Sequence, residues 1–317
     1  MKILITGGAG YIGNILVEEL FKDICFFRPP TITVYDNLKY KQNCLLQFCS
    51  NPFFSFVKGD VRDEKKLLNE ISKHDVIIPL AAIVGFPACE KDKKLAEQVN
   101  YEQILFIVQN TSRDQRIIYP NTNSGYGVGE NGKFCTEETP LIPISHYGRT
   151  KCDGEECLLE DKRGISLRLA TVFGASPRMR LDLLVNDFVY KAMFDKYIVL
   201  FEHTFKRNFI HVRDVGRAFG HMIRTYPENL GEAFNLGLSD SNISKMELCQ
   251  TIKEILPEFI IKVDDFAKDP DKRDYVVLNE KIEKSGWVAS YSLTDGIKEL
   301  IKAYSIINES RTEFTNL

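Results

Sequence analysis

Ile3-Leu4-Ile5-Thr6-Gly7-Gly8-Ala9-Gly10-Tyr11-Ile12-Gly13 is the stretch that decides how this chain folds. The apolar run Ile3-Leu4-Ile5 is short and β-rich and ends in Thr6-Gly7, so it reads as a buried first strand. After Gly13, Ile15, Leu16, Leu20 and Phe21 recur at helical spacing as far as Lys22. Strand, glycine turn and helix in that order make a phosphate-binding turn. The glycines let the backbone approach a pyrophosphate and let the helix pack close to the strand. The helix N-terminus adds unpaired N–H groups and the positive end of its dipole. The spacing satisfies both GxxGxxG (7, 10, 13) and GxGxxG (8, 10, 13).

The next segments turn that pattern into a dinucleotide site. A second β-rich run, Thr31 to Tyr35, ends in Asp36, 23 residues after Gly13. A carboxylate there accepts hydrogen bonds from the adenosine ribose hydroxyls and repels a 2′-phosphate, so the expected cofactor is NAD rather than NADP. Phe54 to Lys58 leads into Gly59-Asp60-Val61. Val76 to Leu80 leads into Ala81-Ala82, small residues that admit a cofactor above the strand ends. A helix from Leu95 to Thr111, a strand from Arg116 to Tyr119, a helix from Ser145 to Asp161 and a strand from Ile165 to Leu169 continue the alternation. The expected fold is therefore α/β: a Rossmann-like, doubly wound parallel sheet with helices on both faces and ligand beyond the strands' carboxyl ends.

Beyond Leu169 the pattern loosens. Phe209 to Met222, a strand and then a helix capped by Asp214, and Phe234-Asn235-Leu236 are expected to return to the sheet. The last helix is expected over Leu293 to Ile306. Residues 173–207 and 238–288 lack the alternation and carry Pro177, Pro257 and Pro270. The expected division is a cofactor domain of residues 1–172 plus 208–237 and a smaller, discontinuous C-terminal substrate lobe of residues 173–207 plus 238–317.

Composition narrows the function classes. With 317 residues, 44% of them apolar, the chain can bury a large core. A net charge of -3 provides no basic footprint for nucleic acid. No apolar run reaches the ~18 residues of a membrane span. The N-terminus enters a strand directly, without room for a signal peptide, so a cytoplasmic location is expected. Eight cysteines without CxxC pairs read as reduced thiols, and five histidines show no ligand spacing, so no metal is expected.

Tyr147-Gly-Arg-Thr-Lys151 places a phenol and an ammonium one helical turn apart. The ammonium favours the phenolate and can also hold the nicotinamide ribose. Tyr147 can then take the proton of a substrate hydroxyl while hydride leaves the same carbon for NAD. A positioned base of this kind contributes roughly 10²–10⁴-fold. Thr122, just after the strand Arg116 to Tyr119, can share a hydrogen bond with the substrate hydroxyl and steady an alkoxide-like transition state.

With these segments in place, the chain resembles the extended short-chain dehydrogenase/reductases that act on nucleotide sugars. The matching features are Thr6 to Gly13, Asp36-Asn37, Gly59-Asp60-Val61, Leu80-Ala81-Ala82, Asn100, Ser124-Gly-Tyr-Gly127, Tyr147 to Lys151, Arg168 to Gly174, Arg207 to Val212 and Gly286-Trp287. The resemblance implies that Thr122, Tyr147 and Lys151 are catalytic. It implies that Gly7, Gly10, Tyr11, Ile12, Gly13, Asp36, Asn37, Asp60, Val61, Leu80, Ala81 and Ala82 bind NAD, together with Tyr147 and Lys151. It implies that Asn123, Ser124, Arg178 and Asn186 meet the sugar nucleotide, and that Arg207 and Arg273 hold its diphosphate. It also implies a homo-oligomer, a dimer or a dimer of dimers, built on the helices near Leu95–Thr111 and Ser145–Asp161.

Departures from the family pattern sharpen the expected chemistry. The family's 4,6-dehydratases carry Thr-Asp-Glu where this chain has Thr122-Asn123-Ser124, and Asn and Ser cannot provide the acid and base that expel water. Thr171 replaces the usual Asn before Val-Tyr-Gly, and Pro79 replaces the His before Leu-Ala-Ala. Both changes are expected near the cofactor or sugar. A narrower resemblance lies in Ile118 to Gly127, Leu169 to Asp182 and Asp269 to Tyr275, which are similar to dehydrogenases that oxidise C4 of GDP-glycero-manno-heptose for bacterial capsule sugars. It implies net oxidation of a GDP-linked sugar, with a second carbonyl compound such as a 2-oxo acid as final hydride acceptor. A nucleotide-sugar 4-epimerase would use the same three residues. A non-catalytic NAD(H)-sensing or scaffold protein would need neither Tyr147 nor Lys151.

Overall fold

The computed structural model describes residues 1–23, 25–26, 28–130, 132–264, 273–307 and 314–315. Its frame is a seven-stranded sheet, parallel throughout. The first five strands are β1 (Lys2–Thr6), β2 (Thr31–Asp36), β3 (Phe54–Lys58), β4 (Val76–Pro79) and β5 (Arg116–Thr122). Ile165–Leu169 and Ala233–Leu236 complete the sheet. The order is β3, β2, β1, β4, β5, then these last two, so it reverses beside β1. Ligands of such sheets bind in the crevice where the order reverses, beyond the carboxyl ends of the strands.

Burial on both faces explains the apolar runs. Ile3, Ile5, Val34 and Ile78 point into one core, and Leu4, Tyr35 and Ile77 point into the other. Helix α1 (Tyr11–Lys22) covers the first face through Ile15, Leu16 and Leu20. It begins at Tyr11 rather than after Gly13. Among the described residues no helix is long and apolar enough to cross a membrane.

Four expectations need correction. Phe209 does not return to the main sheet. The strand Lys206–His211 pairs in parallel with Thr171–Phe173 and antiparallel with Asn242–Ser244, in a separate three-stranded sheet. That sheet extends past the carboxyl ends of the last two main strands, where Leu238 N–H donates to Phe209 O at 2.8 Å. Asp214 does not cap the helix Val212–Arg224. His211 does so through Nδ1, which accepts the Arg213 N–H. Asp214 lies in the first turn, fully buried, and accepts the N–H groups of Ser290 and Tyr291.

The helix expected over Leu95–Thr111 is interrupted. Lys93–Glu97 and Gln103–Asn110 are α-helical, and Gln98–Glu102 between them is a wider π turn. The turn brings Asn100 and Gln103 inward. Gln103 Nε2 donates to Ala81 O at 2.5 Å, and the Asn100 amide pairs with both N–H and C=O of Ile83. Finally, the second half holds regular helices, Leu184–Phe194 and Lys245–Ile255, the latter opened by a Ser244/Glu247 capping box.

The helix His146–Glu160 is capped by Ser145 and anchored by Glu155. The Glu155 carboxylate accepts from Arg168 Nη2 at 2.6 Å, Asn121 Nδ2 at 2.7 Å and Ser166 Oγ at 2.5 Å. Arg168 also donates to the Tyr126 hydroxyl, which donates to Asn235 Oδ1. One buried carboxylate thus fixes a helix against the ends of two strands. Removing one partner of a buried ion pair leaves the other charge uncompensated. Glu155→Ala should therefore destabilise the chain by about 3–5 kcal/mol, as measured by denaturant unfolding.

Candidate active site

Above the strand ends opens a cavity of about 920 Å³. Its floor is the turn between β1 and α1. Gly7 has φ +69°, and a Cβ there would stand 2.5 Å from the Ala81 nitrogen. Gly10 caps α1 without a side-chain hydrogen bond. Gly7, Gly10, Tyr11, Ile12 and Gly13 all line the cavity, as do Leu80, Ala81 and Ala82 at the end of β4. The first N–H groups of a helix have no intrahelical partner, which suits them to a phosphate.

Asp36 ends β2 on the cavity wall. Its oxygens accept the Ala9 N–H at 3.0 Å and the Leu38 N–H at 2.7 Å, and burial raises its pKa. A carboxylate has about four lone-pair sites, so ribose hydroxyls can still donate to it. Asp60, Val61 and Asn37 lie alongside. Hydrogen bonds from Arg62 hold the Asp60 carboxyl well below the usual range, and Asn37 Nδ2 adds a donor at 3.2 Å. A glycine floor, an uncapped helix end and a buried acid at the tip of β2 fit NAD. Gly7, Gly10 and the start of α1 would hold its pyrophosphate, Asp36 its adenosine ribose and Lys151 its second ribose.

The catalytic candidates meet at the other end. Thr122 stands at the last position of β5, and Tyr147 and Lys151 stand on the first turns of His146–Glu160. All three line the cavity, and the Tyr147 side chain hydrogen-bonds with Thr122. Burial pushes the Tyr147 phenol up to about 12, against the Arg180 and Arg273 charges and the Thr122 hydrogen bond. Burial pushes the Lys151 ammonium down to about 7. Its Nζ lies 4.0 Å from the centre of the Tyr119 ring. Arg180 and Arg273 are the leading cations opposing burial at the phenol.

Thr122 Oγ1 donates to Ser124 Oγ at 3.0 Å, and Arg273 Nη1 donates to the same Ser124 oxygen. Arg207 lines the cavity too, with its guanidinium over the Tyr275 ring. Not every expected substrate residue arrives. Asn123 is buried outside the lining, with neither amide atom hydrogen-bonded. Asn186 is also buried away from the cavity, where it accepts the Gly174 N–H and donates to Arg180 O. Arg178 lines the cavity but stacks over Tyr40, 5.2 Å from the ring centre. Thr171 is in the lining, whereas Pro79 is paired inside the sheet opposite Thr6.

Arg180, Asp182, Lys245, Tyr40 and Tyr275 also line the cavity and were not expected there. Arg180 and Asp182 form an ion pair. The Arg-Met-Arg-Leu-Asp pattern of 178–182 carried that signal. Nothing in the sequence marks Lys245, whose Nζ donates to Phe201 O at 3.0 Å. Asp269 to Lys272 lie outside the described residues, and among those described no His, Cys, Asp or Glu cluster could hold a metal.

Two outcomes follow from this geometry. Tyr147→Phe should lower turnover by about 10²–10⁴-fold while NAD stays bound, because the phenol oxygen moves a proton and does not carry the cofactor. Single-substrate kinetics with quantification of bound NAD check this. Lys151, at about 7 folded against about 10.4 unfolded, makes the unfolded chain the better proton binder between these values. Stability should therefore rise from about pH 7 to pH 10, and Lys151→Met should flatten that rise in pH-dependent melting curves.

Residues 3–237 match the NAD dependent epimerase/dehydratase family. A dTDP-glucose 4,6-dehydratase of Actinoplanes is 27% identical, over 96% of this chain and 98% of its own length. An uncharacterized UDP-glucose epimerase, YtcB of Bacillus subtilis, is 30% identical, over 80% of this chain and 82% of its own length. The solved UDP-glucuronic acid 4-epimerase of Bacillus cereus, in complex with UDP-glucuronic acid and NAD, superposes with a TM-score of 0.82 at 24% identity. It covers 97% of this chain and 100% of its own.

Proposed function

Because the chain belongs to the NAD dependent epimerase/dehydratase family, we propose that it oxidises C4 of a nucleotide-linked sugar to the 4-ketose without loss of water. One observation carries the proposal. Among the described residues, each lining carboxylate is already engaged. Asp36 accepts backbone N–H groups, Asp60 pairs with Arg62, Asp182 with Arg180 and Asp187 with Lys191. Tyr147 itself feels the Thr122 hydrogen bond, the Arg180 and Arg273 charges and the Cys89 thiol, none of them a carboxylate, so among the described residues no free acid–base pair stands ready to expel a hydroxyl.

NAD, when bound, supplies the hydride acceptor. As the phenolate that Arg180, Arg273 and the Thr122 hydrogen bond favour, Tyr147 accepts the C4 hydroxyl proton and becomes the neutral phenol, and Thr122 shares a hydrogen bond with the developing alkoxide. Lys151 holds the cofactor ribose, and the Arg180 and Arg273 charges oppose burial at the phenol. Arg207 and Arg273 bind the diphosphate, a geometry suited to guanidinium forks. Ser124 positions Thr122 from one side. In this proposal residues 1–172 with 208–237 serve the cofactor and 173–207 with 238–317 the sugar nucleotide. The helix pair 93–110 and 146–160 forms a dimer face. A GDP-linked heptose is the substrate suggested by the sequence likeness of 118–127, 169–182 and 269–275, with a 2-oxo acid as the final electron acceptor.

A second reading is C4 epimerisation by the same residues, in keeping with the UDP-sugar epimerases among the similar proteins. The test is incubation with UDP-, GDP-, CDP- and dTDP-sugars, GDP-glycero-manno-heptose included, with surplus 2-oxo acid, followed by mass spectrometry and NMR. Loss of two hydrogens from a GDP-sugar is the expected result. A C4 epimer at the original oxidation level would establish the second reading. Loss of water would overturn the deduction from the engaged carboxylates.

A further inference from the structure

The loop after Thr171–Phe173 crosses the start of α1. The Tyr11 hydroxyl donates to Gly174 O at 2.6 Å, and Ser176 Oγ donates to Tyr11 O at 2.8 Å. Arg178 follows on this anchored loop and lines the cavity. There its guanidinium lies on the Tyr40 ring, four residues beyond Asp36. Asp36 and Arg178 both act electrostatically on Tyr40 and on Cys44, so the acid and the guanidinium face the same pocket. By contrast, Arg207 and Arg273 sit with Tyr275 and Ser124. Arg178 thus shares its surroundings with Asp36 and Tyr40, whereas Arg207 and Arg273 share theirs with Tyr275 and Ser124.

Arg178 is also buried beside a second guanidinium, Arg180, whose charge Asp182 matches. The end of the chain braces this arrangement: Leu181 N–H donates to Phe314 O at 2.9 Å, and Arg178 Nη2 donates to Thr315 O at 3.4 Å.

We propose that Arg178 binds the adenosine diphosphate half of NAD, closing over it with Tyr40 and retaining the cofactor between turnovers. It is a cofactor residue and not, as its sequence context implies, a sugar-nucleotide residue. A planar fork on an aromatic ring is a preformed donor for phosphate oxygens. The glycine turn and the Arg178 loop would then hold the cofactor from two separate chain segments, so both must release before NAD leaves.

The test compares the NAD-loaded wild type with Arg178→Gln, Arg178→Lys and Tyr40→Leu. NAD release is followed after dilution into excess ADP-ribose, and GDP and UDP affinities are measured on the loaded proteins by calorimetry. Arg178→Gln should speed NAD release by about tenfold or more and leave GDP and UDP affinity within about twofold. Arg178→Lys should fall between, since an ammonium keeps the charge without the fork. Unchanged NAD release, or a loss confined to GDP or UDP, would overturn the proposal. If Arg178→Gln does not fold, Tyr40→Leu decides: faster NAD release supports the clamp, and an unchanged rate rejects it.

Discussion

The closeness of the turn after β1 to its surroundings governs the rest of the site. A Cβ on Gly7 would lie 2.5 Å from the Ala81 nitrogen, and one on Gly13 would lie 2.5 Å from the Gly8 Cα. Only hydrogen fits at either place. With these contacts made, α1 starts directly over the strand ends and the cavity floor is backbone. Asp36 then ties the turn to the end of β2 through the Ala9 and Leu38 N–H groups. The phosphate-binding surface is thus set by steric exclusion before any ligand arrives.

At the opposite end the governing term is burial. Tyr147 and Lys151 are both driven toward their neutral forms, the phenol upward and the ammonium downward. Neither is helped by the other as much as their spacing suggests. The charges of Arg180 and Arg273 oppose the effect of burial at the phenol. Tyr147 is therefore coupled to Arg273 through Thr122 and Ser124 as well as through space.

The cofactor half was legible because its signals are local. An apolar run followed by glycines and an acid at the next strand's end specifies both elements and ligand. The second half was less legible because its decisive contacts are distant in sequence. Alternation marks Phe209 as a strand residue but does not name its partner strand. Asp214 has the chemistry of a cap, yet His211 sits at the turn and takes that role. Asn123 and Asn186 are polar in a promising segment, but residue type does not reveal that their amides turn into the protein. Arg178 reads as a sugar-nucleotide residue, and its place over the Tyr40 ring depends on a loop anchored to Tyr11, far away in sequence.

The π turn at Gln98–Glu102 has a consequence for how this helix tolerates change in length. A π turn accommodates one residue more than regular α-helical winding would. Deleting a residue there would restore ordinary winding and leave the backbone hydrogen bonds intact. Yet each residue advances a helix by about 100°, so the deletion would rotate Asn100 and Gln103 relative to one another. Ala81 O or the Ile83 amide would then lose its side-chain partner. The helix would gain regularity while the wall of the cofactor cleft lost its buttress, so the irregular winding is the form this sequence must keep.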